Sequence, residues 1–572
     1  MIQKGSLQTD IVSAPDDTSA NRSDQSLLGR TYYEKVIRQY VTDIVLLMTL
    51  LLAGIIFTYN LPGLIDISLF DETRYLARGL MLEKSFPTAE YGPAYSVWYF
   101  FLSKFHSDPI DLYYLNYRVI TILPALIFFL LMRTYKVPGI LSFVLSLSFL
   151  CTAGNFLTWP KVSHFAILML MFGLIILKYF NGKKEMILML SLTSLFVSYV
   201  RPEFYYSCLF LTFVLLIVSI HQFFKSRSYY VFIPLAINLV ALVILGLGVG
   251  IPTASGNREL IAFGQHYALN WNQWNNDAGN PWANWITIIH NDFGNINTAA
   301  DALVSNPPAM VRHMFQNVQN APEILYSMFN HFYPPSYPQR VAFRYGLLIF
   351  LIASIFYYNK HNLSKFLKRI VSNFTKSRFL LLLILITMLP VMMSMIVIFP
   401  RQHYMFMLFV IMVFVLTILL FGNEGNDEET NNFNYAAICC FVVLMLIRPL
   451  SESKGIVNQK NLKTTKFIRS LEIRTSINLL DAEGGYSIYL GNNFNQIEES
   501  SKEVPFKEFV RMNSINMILL TDELRNYMKY QSDPEWQSFL KNPGEMGFRQ
   551  LTIPEFEKSK LLIRADVPLN EN

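Results

Sequence analysis

Two adjacent carboxylates, Asp71 and Glu72, followed by Arg74 and Tyr75, stand just beyond the first long apolar run, residues 41–59. A carboxylate at a membrane face can act as a general base, and a pair can share a divalent cation. A hydrated surface loop also tolerates charge, so the pair needs company before it defines a site.

That company comes from other hairpins. Lys161 and His164 lie between the third and fourth apolar runs, Arg201 between the fifth and sixth, and Arg401, His403 and Tyr404 between the ninth and tenth. Taken singly, each cation is explained by snorkelling to the interface. Three hairpins that bring a cation to the face bearing the acidic pair instead suit a lipid-linked phosphate, which arginine grips with two hydrogen bonds. Residues 252–340 carry Trp271, Trp274, Trp282 and Trp285 interleaved with Asn270, Asn272, Asn275 and Asn276. Indole faces and amides together suit a sugar, and equally an aromatic belt at the membrane surface.

The elements that position these residues follow from composition. The 572 residues are 52% hydrophobic and only 15% charged, with a mean hydropathy of +0.32. This is the signature of a polytopic α-helical membrane protein. Apolar runs of spanning length fall near 41–59, 112–132, 139–157, 162–180, 185–200, 203–221, 229–250, 341–358, 379–399, 402–421 and 433–449, eleven in all. Residues 92–105 form a candidate re-entrant or interfacial segment. Residues 1–40 are polar and read as a disordered cytoplasmic tail.

Arg133 and Lys136, Lys183 and Lys184, Lys225 and Arg227, and six cations within 359–378 make alternate loops basic. The positive-inside rule then sets the N-terminus in the cytoplasm. The acidic loop 422–432 dissents, but acids weigh little in that rule. On this topology the loops 61–111 and 252–340 and everything past about 450 face outward. The net charge of +6 is spread among loops, which speaks for membrane topology and against nucleic acid. Cys151, Cys208, Cys439 and Cys440 all lie in apolar runs, so no disulfide framework is expected.

From 461 to 572 short mixed elements replace the apolar runs, and the spacing predicts a small C-terminal α/β soluble domain. Strands are expected at Ser487–Leu490, Asn516–Leu520, Phe548–Ile553 and Leu561–Ile563, with helices at Phe506–Met512 and Glu523–Tyr530. Residues 481–485 read as a turn. The domain carries no phosphate-binding glycine loop and reads as an accessory or acceptor-docking module.

The run Leu69-Phe70-Asp71-Glu72-Thr73-Arg74-Tyr75 resembles the acidic first-loop motif of the GT-C superfamily of integral-membrane glycosyltransferases, near the aminoarabinose transferases and protein O-mannosyltransferases. Tyr91-Gly92-Pro93-Ala94-Tyr95 is similar to the proline-containing stretch of that loop. Arg401 with His403 and Tyr404 resembles an Arg-x-x-Tyr near the last spans. Two departures stand out: Lys161 occupies a hairpin where many relatives carry an acid, and the proline stretch lacks Lys-Pro-Pro.

The resemblance implies transfer of a sugar, with inversion, from a polyprenyl-phosphate donor to a cell-envelope glycan, lipid or protein acceptor at the outer face of a cell inner membrane. Asp71 would then serve as base and Glu72 as its support or co-ligand of a divalent metal. Arg74, Lys161, Arg201, Arg401, His403 and Tyr404 would serve the donor phosphate, and Tyr91, Trp271, Trp274 and Trp282 the sugar or acceptor. The rival expectations are a lipid-linked saccharide polymerase or ligase and a non-enzymatic transporter. A transporter would carry paired repeats and mid-membrane acids, and the chain has no internal repeat.

Overall fold

The computed structural model describes residues 18–156, 160–253, 258–276, 280–329, 363–421, 459–497, 504–525, 530, 533–556 and 559–569. The expected spans 341–358 and 433–449 lie outside the described residues. Six described helices are long and apolar enough to cross a bilayer: Ile37–Phe57, Pro109–Thr134, Glu203–Ser226, Tyr229–Gly248, Leu367–Val397 and Gln402–Phe421. Each overlaps one of the eleven apolar runs. Gly139–Cys151 and Val162–Leu177 are shorter apolar helices.

In chain order the membrane half contains α1 (Thr18–Phe57), α2 (Leu61–Leu64), α3 (Asp71–Leu80), α4 (Pro93–Ser103), α5 (Pro109–Thr134), α6 (Gly139–Cys151), α7 (Ala153–Phe156), α8 (Val162–Leu177), α9 (Lys183–Ser198), α10 (Glu203–Ser226) and α11 (Ile233–Gly248). Four helices fill the large loop: α12 (Arg258–Asn275), α13 (Pro281–Phe293), α14 (Ala299–Ser305) and α15 (Pro307–Phe329). Then come α16 (Leu363–Val397) and α17 (Gln402–Phe421).

Residues 92–105, expected as a re-entrant or interfacial segment, form α4, which packs against α3. Gly79 permits the close approach: a Cβ there would stand 2.5 Å from Tyr99 Cβ and 2.9 Å from the Ser96 carbonyl oxygen. Asp108 opens α5 as its N-cap, accepting from the Ile110 amide at 2.8 Å.

The C-terminal domain is a five-stranded sheet of β1 (Ile477–Leu480), β2 (Phe494–Ile497), β3 (Met517–Leu520), β4 (Phe548–Thr552) and β5 (Lys560–Arg564). The order is β2-β1-β3-β5-β4. The β2-β1-β3 pairs are parallel, with Ile477 opposite Phe494 and Leu479 opposite Met517. The β3-β5-β4 pairs are antiparallel, with Met517 opposite Ile563.

Strand alternation sends successive side chains to two different cores. Leu480, Ile518, Leu520 and Leu562 pack under the helices α20 (Phe506–Met512) and α22 (Pro534–Lys541), around Phe506 and Trp536. Ile477, Leu479, Met517, Leu519, Leu561 and Ile563 belong to the core that continues into the membrane half. Burial on both faces explains why β3 is apolar at every position.

One sequence expectation is corrected here. Ser487–Leu490 is not a strand but lies in the short helix α19 (Tyr486–Leu490). The edge position it would have taken belongs to β2, whose Asn495 and Gln496 hide its strand character. Of the expected helix Glu523–Tyr530, the described part is α21 (Asp522–Arg525).

The domain is clamped to residues 66–108, between α2 and α5. Asp66 accepts from the amides of Asn461 and Leu462, both at 2.8 Å, in the first turn of α18 (Lys460–Ser470). This places a carboxylate on the unsatisfied N–H groups of a helix start. The Tyr489 hydroxyl donates to the Ser68 carbonyl at 2.7 Å, and Arg469 pairs with Asp108 at 2.7 Å. Gly485 lies so close to Leu69 that a Cβ would stand 3.2 Å from its Cα. Asp66→Ala should weaken this junction by about 1–2 kcal/mol, the usual worth of a lost helix cap. Hydrogen exchange of residues 460–470 would read the change as faster exchange, with the sheet amides unaffected.

Candidate functional site

The acidic pair is split by the geometry of α3. Phe70, which precedes it, adopts φ 64°, a left-handed conformation unusual for a bulky side chain. Helix α3 therefore starts abruptly at Asp71. Asp71 stays partly accessible, whereas Glu72 turns inward and is only 1% exposed.

Glu72 is the centre of a buried polar network. Its Oε1 accepts from the hydroxyls of Tyr95 (2.7 Å) and Tyr99 (2.5 Å) and from Asn116 Nδ2 (3.2 Å). Its Oε2 accepts from the backbone amide of Lys161 at 2.9 Å. Asn116 Nδ2 also donates to both tyrosine oxygens at 2.8 Å, and its Oδ1 accepts from Trp98 Nε1 at 2.8 Å. Burial pushes the Glu72 carboxyl above the usual range, and the hydrogen bonds from Tyr99, Tyr95 and Lys161 oppose that shift. Four elements thus meet at one carboxylate: α3, α4, α5 and the hairpin before α8.

Lys161 is buried beside it. Its ammonium donates to the Asn155 carbonyl and lies 4.1 Å from the centre of the Tyr117 ring. The reason is the end of a short helix: α7 stops at Phe156, and the last carbonyls of a helix have no partner within it. Lys161 supplies one. Burial lowers its pKa to about 7, with Glu72 pulling the other way.

A second cluster gathers the remaining hairpin cations. Arg401 Nε donates to His266 Nε2, and the guanidinium lies 5.2 Å from the centre of the Trp282 ring. His266 Nδ1 faces the Ala262 carbonyl. That contact makes Nδ1 the protonated nitrogen and leaves Nε2 as acceptor, a neutral tautomer fixed on both sides. Burial, with Arg401 assisting, brings the His266 pKa down to about 3, which agrees with this assignment.

Arg201 binds Glu203 at 2.9 Å and lies 4.4 Å from the centre of the Tyr404 ring. His403 is buried within the electrostatic reach of Arg201 and Arg401, and Asp71 acts on Arg401. The first loop reaches the Arg201 hairpin directly, through the Ala94 amide and the Tyr199 carbonyl at 3.1 Å.

The structure therefore brings together Asp71, Arg201, Arg401, His403, Tyr404 and Trp282. It places Lys161 with Glu72 in the separate buried network. Arg74 and Tyr91 lie elsewhere, lining a groove shared with the C-terminal domain, where Arg78 covers Tyr91 at 3.9 Å. Trp271 and Trp274 pack into the core of the large loop, around Phe263 and Tyr267. Trp274 donates to Gln316 at 3.1 Å and is covered by Arg312. Trp282, at 45% exposed, is the indole that borders the Arg401 cluster.

That loop is pinned to the end of α16. His313 Nε2 faces the carbonyls of Val397 and Ile398 at 3.1 Å, and Asn317 donates to Ile396 at 2.8 Å. Sequence reasoning passed over Tyr95, Tyr99, Asn116, Glu203 and His266. Asn116 had a signal, an amide inside an apolar run. The i, i+4 spacing of Tyr95 and Tyr99 placed both on one helix face.

Among the described residues no group of three or more His, Cys, Asp or Glu side chains could hold a metal ion. Asp71 and Glu72 diverge, and both Glu72 oxygens are already engaged, so the pair does not fit a shared ion in this arrangement. No protein-family model and no curated protein sequence matches the chain.

Glu72→Ala would strand two tyrosine hydroxyl donors and a buried backbone N–H, while the Asn116 amide keeps its bonds to the tyrosine oxygens. The expected cost is roughly 3–5 kcal/mol, since each orphaned buried group costs about 1–3. Thermal unfolding in detergent should show a large fall in midpoint for Glu72→Ala and little change for Asp71→Asn. Equal falls would contradict the division of roles between the two acids.

Proposed function

We propose that the chain is a membrane glycosyltransferase. It moves a sugar from a polyprenyl-phosphate donor to a cell-envelope glycan, lipid or protein acceptor on the outer face of the inner membrane. The observation that supports this reading is the meeting of Arg401 and Arg201, from distant hairpins, on the side of the molecule that carries Asp71. Glu203 offsets much of the Arg201 charge, so Arg401 is the principal cation facing Asp71.

The roles follow from the chemistry. The acceptor oxygen attacks the anomeric carbon as the bond from that carbon to the phosphate oxygen breaks, and the configuration inverts. Asp71 takes the acceptor proton, and the departing phosphate gathers negative charge that Arg401 and Arg201 stabilise. Neutral His266 orients Arg401 without adding a competing charge. Glu72 holds α3 so that Asp71 is presented at a fixed height, and Trp282 offers a flat apolar wall to a sugar ring. Because the leaving group is already a phosphate, no general acid is required. The N-terminus is cytoplasmic and the C-terminal domain outward in this reading.

The test is turnover of a radiolabelled polyprenyl-phosphate sugar by purified protein, read as release of polyprenyl phosphate. Asp71→Asn should reduce the rate by at least about 10², the lower end for loss of a general base. Undiminished release by Asp71→Asn would end the assignment. Accumulation of labelled lipid-linked sugar inside vesicles, without its cleavage, would favour a transporter.

A further inference from the structure

Beside the Asp71 cluster runs a groove of ≈ 1650 Å³ between the first outer loop and the C-terminal domain. Pockets for small ligands usually measure about 300–1,000 Å³, so this one has room for several sugar rings. Helix α3 lines it with Arg74 and Arg78, and the turn that follows adds Lys84. Asp71 begins the same helix, which sets Arg74 and Arg78 about 4.5 and 10.5 Å further along its axis. The opposite wall presents Asn492, Asn495 and Gln496. Gln496 Oε1 is buried and has no hydrogen-bond partner among the described residues.

Acids also border the groove, but most of their charge is committed. Asp108 is paired with Arg469, and Asp481 Oδ1 accepts from the Gly484 amide. Glu483 is crowded by Asp481 and Glu523, with Lys460 the cation opposing them and the Thr521 hydroxyl at 3.5 Å. The balance leaves cations on one side and amides on the other, with Phe70, Leu80, Met81 and Phe494 adding apolar surface that suits the faces of sugar rings.

We propose that this groove binds the acceptor and that the acceptor is an anionic saccharide. Arg74, Arg78 and Lys84 take its carboxylate or phosphate, and the amides of Asn492, Asn495 and Gln496 take its hydroxyls. Arginine forks match either anion, and amides supply both donors and acceptors to sugar hydroxyls. Naming the ligand an acceptor rests on the transferase reading, whereas the affinity for an anionic saccharide does not. Asp71 opens the helix that forms one wall of the groove, so the acceptor reading requires the saccharide to reach past Arg74 to that carboxylate.

Glu483 gives the groove a pH dependence. Burial, then Asp481 and Glu523, raises its pKa to about 7. Below that pH the side chain is neutral and does not repel an anion. Above it the carboxylate is charged, and binding weakens.

The experiment measures binding to full-length protein in detergent, with no donor present. The probes are trigalacturonic acid, a glycolipid with a phosphorylated disaccharide head in mixed micelles, and maltotriose as the neutral control. An anionic probe should bind at least about tenfold more tightly than maltotriose. Arg74→Gln and Lys84→Gln, both exposed side chains whose loss leaves packing intact, should each weaken it about tenfold. Affinity should fall from pH 6 to pH 8, and Glu483→Gln should flatten that fall.

Binding of the glycolipid alone supports a lipid-carried acceptor, and binding of both anionic probes supports recognition of the head group itself. Equal affinity for maltotriose, or anionic binding indifferent to both substitutions, would overturn the proposal. Release of polyprenyl phosphate by the same preparation is scored separately. Its failure would remove the transferase reading and leave the saccharide site standing.

Discussion

A single buried carboxylate organises the packing of residues 71–116 against the hairpin before α8. Glu72 draws hydrogen bonds from two tyrosines on α4, an asparagine on α5 and the backbone before α8. A charged or polar group in such a place is costly unless every donor and acceptor is matched. Matching them fixes four elements at once, and any shift of one would orphan groups on the others. The neighbouring Asp71 gains its definition from this arrangement, because the residue beside a fully constrained one has little freedom of its own.

The network and the cation cluster use their polar residues differently. Lys161 and Glu72 are committed to the protein: one closes the end of α7 and the other ties helices together. Arg401 is held by a neutral imidazole and bordered by an indole, a setting that restrains its position while leaving much of its charge available. Arg201 is anchored by Glu203 and laid over Tyr404. Such preorganisation lowers the entropic cost of binding any anion there, since little side-chain freedom remains to be lost.

Much of this was legible in the sequence, for reasons that differ by element. The six long helices declared themselves through uninterrupted apolar runs, because the length that crosses hydrocarbon is set by the bilayer. Strands β3 and β5 were visible as short apolar stretches between turn residues, and β4 as a mixed one around Phe548 and Leu551. Strands β1 and β2 were not, since Asn478 interrupts the first and Asn495 and Gln496 carry no strand signal at a sheet edge. Within the site, Asp71, Arg201 and Arg401 were found by charge in apolar surroundings. Lys161 shares that signal, yet its direction is set by the end of the short helix α7, which periodicity does not reveal. Trp271 and Trp274 share composition with Trp282, and only packing separates the two that fill a core from the one that borders the cluster.

The two-sided burial of the sheet has a consequence for handling the molecule. Ile477, Leu479, Met517, Leu519, Leu561 and Ile563 face a core that extends into the membrane half. Cut free of its partner, the domain would present that row as an oily floor open to water, the kind of surface that drives clumping. Residues 459–569 therefore behave as an integral storey of the building and not as a detachable module, and a recombinant fragment of them would need a detergent or a redesigned underside to stay in solution.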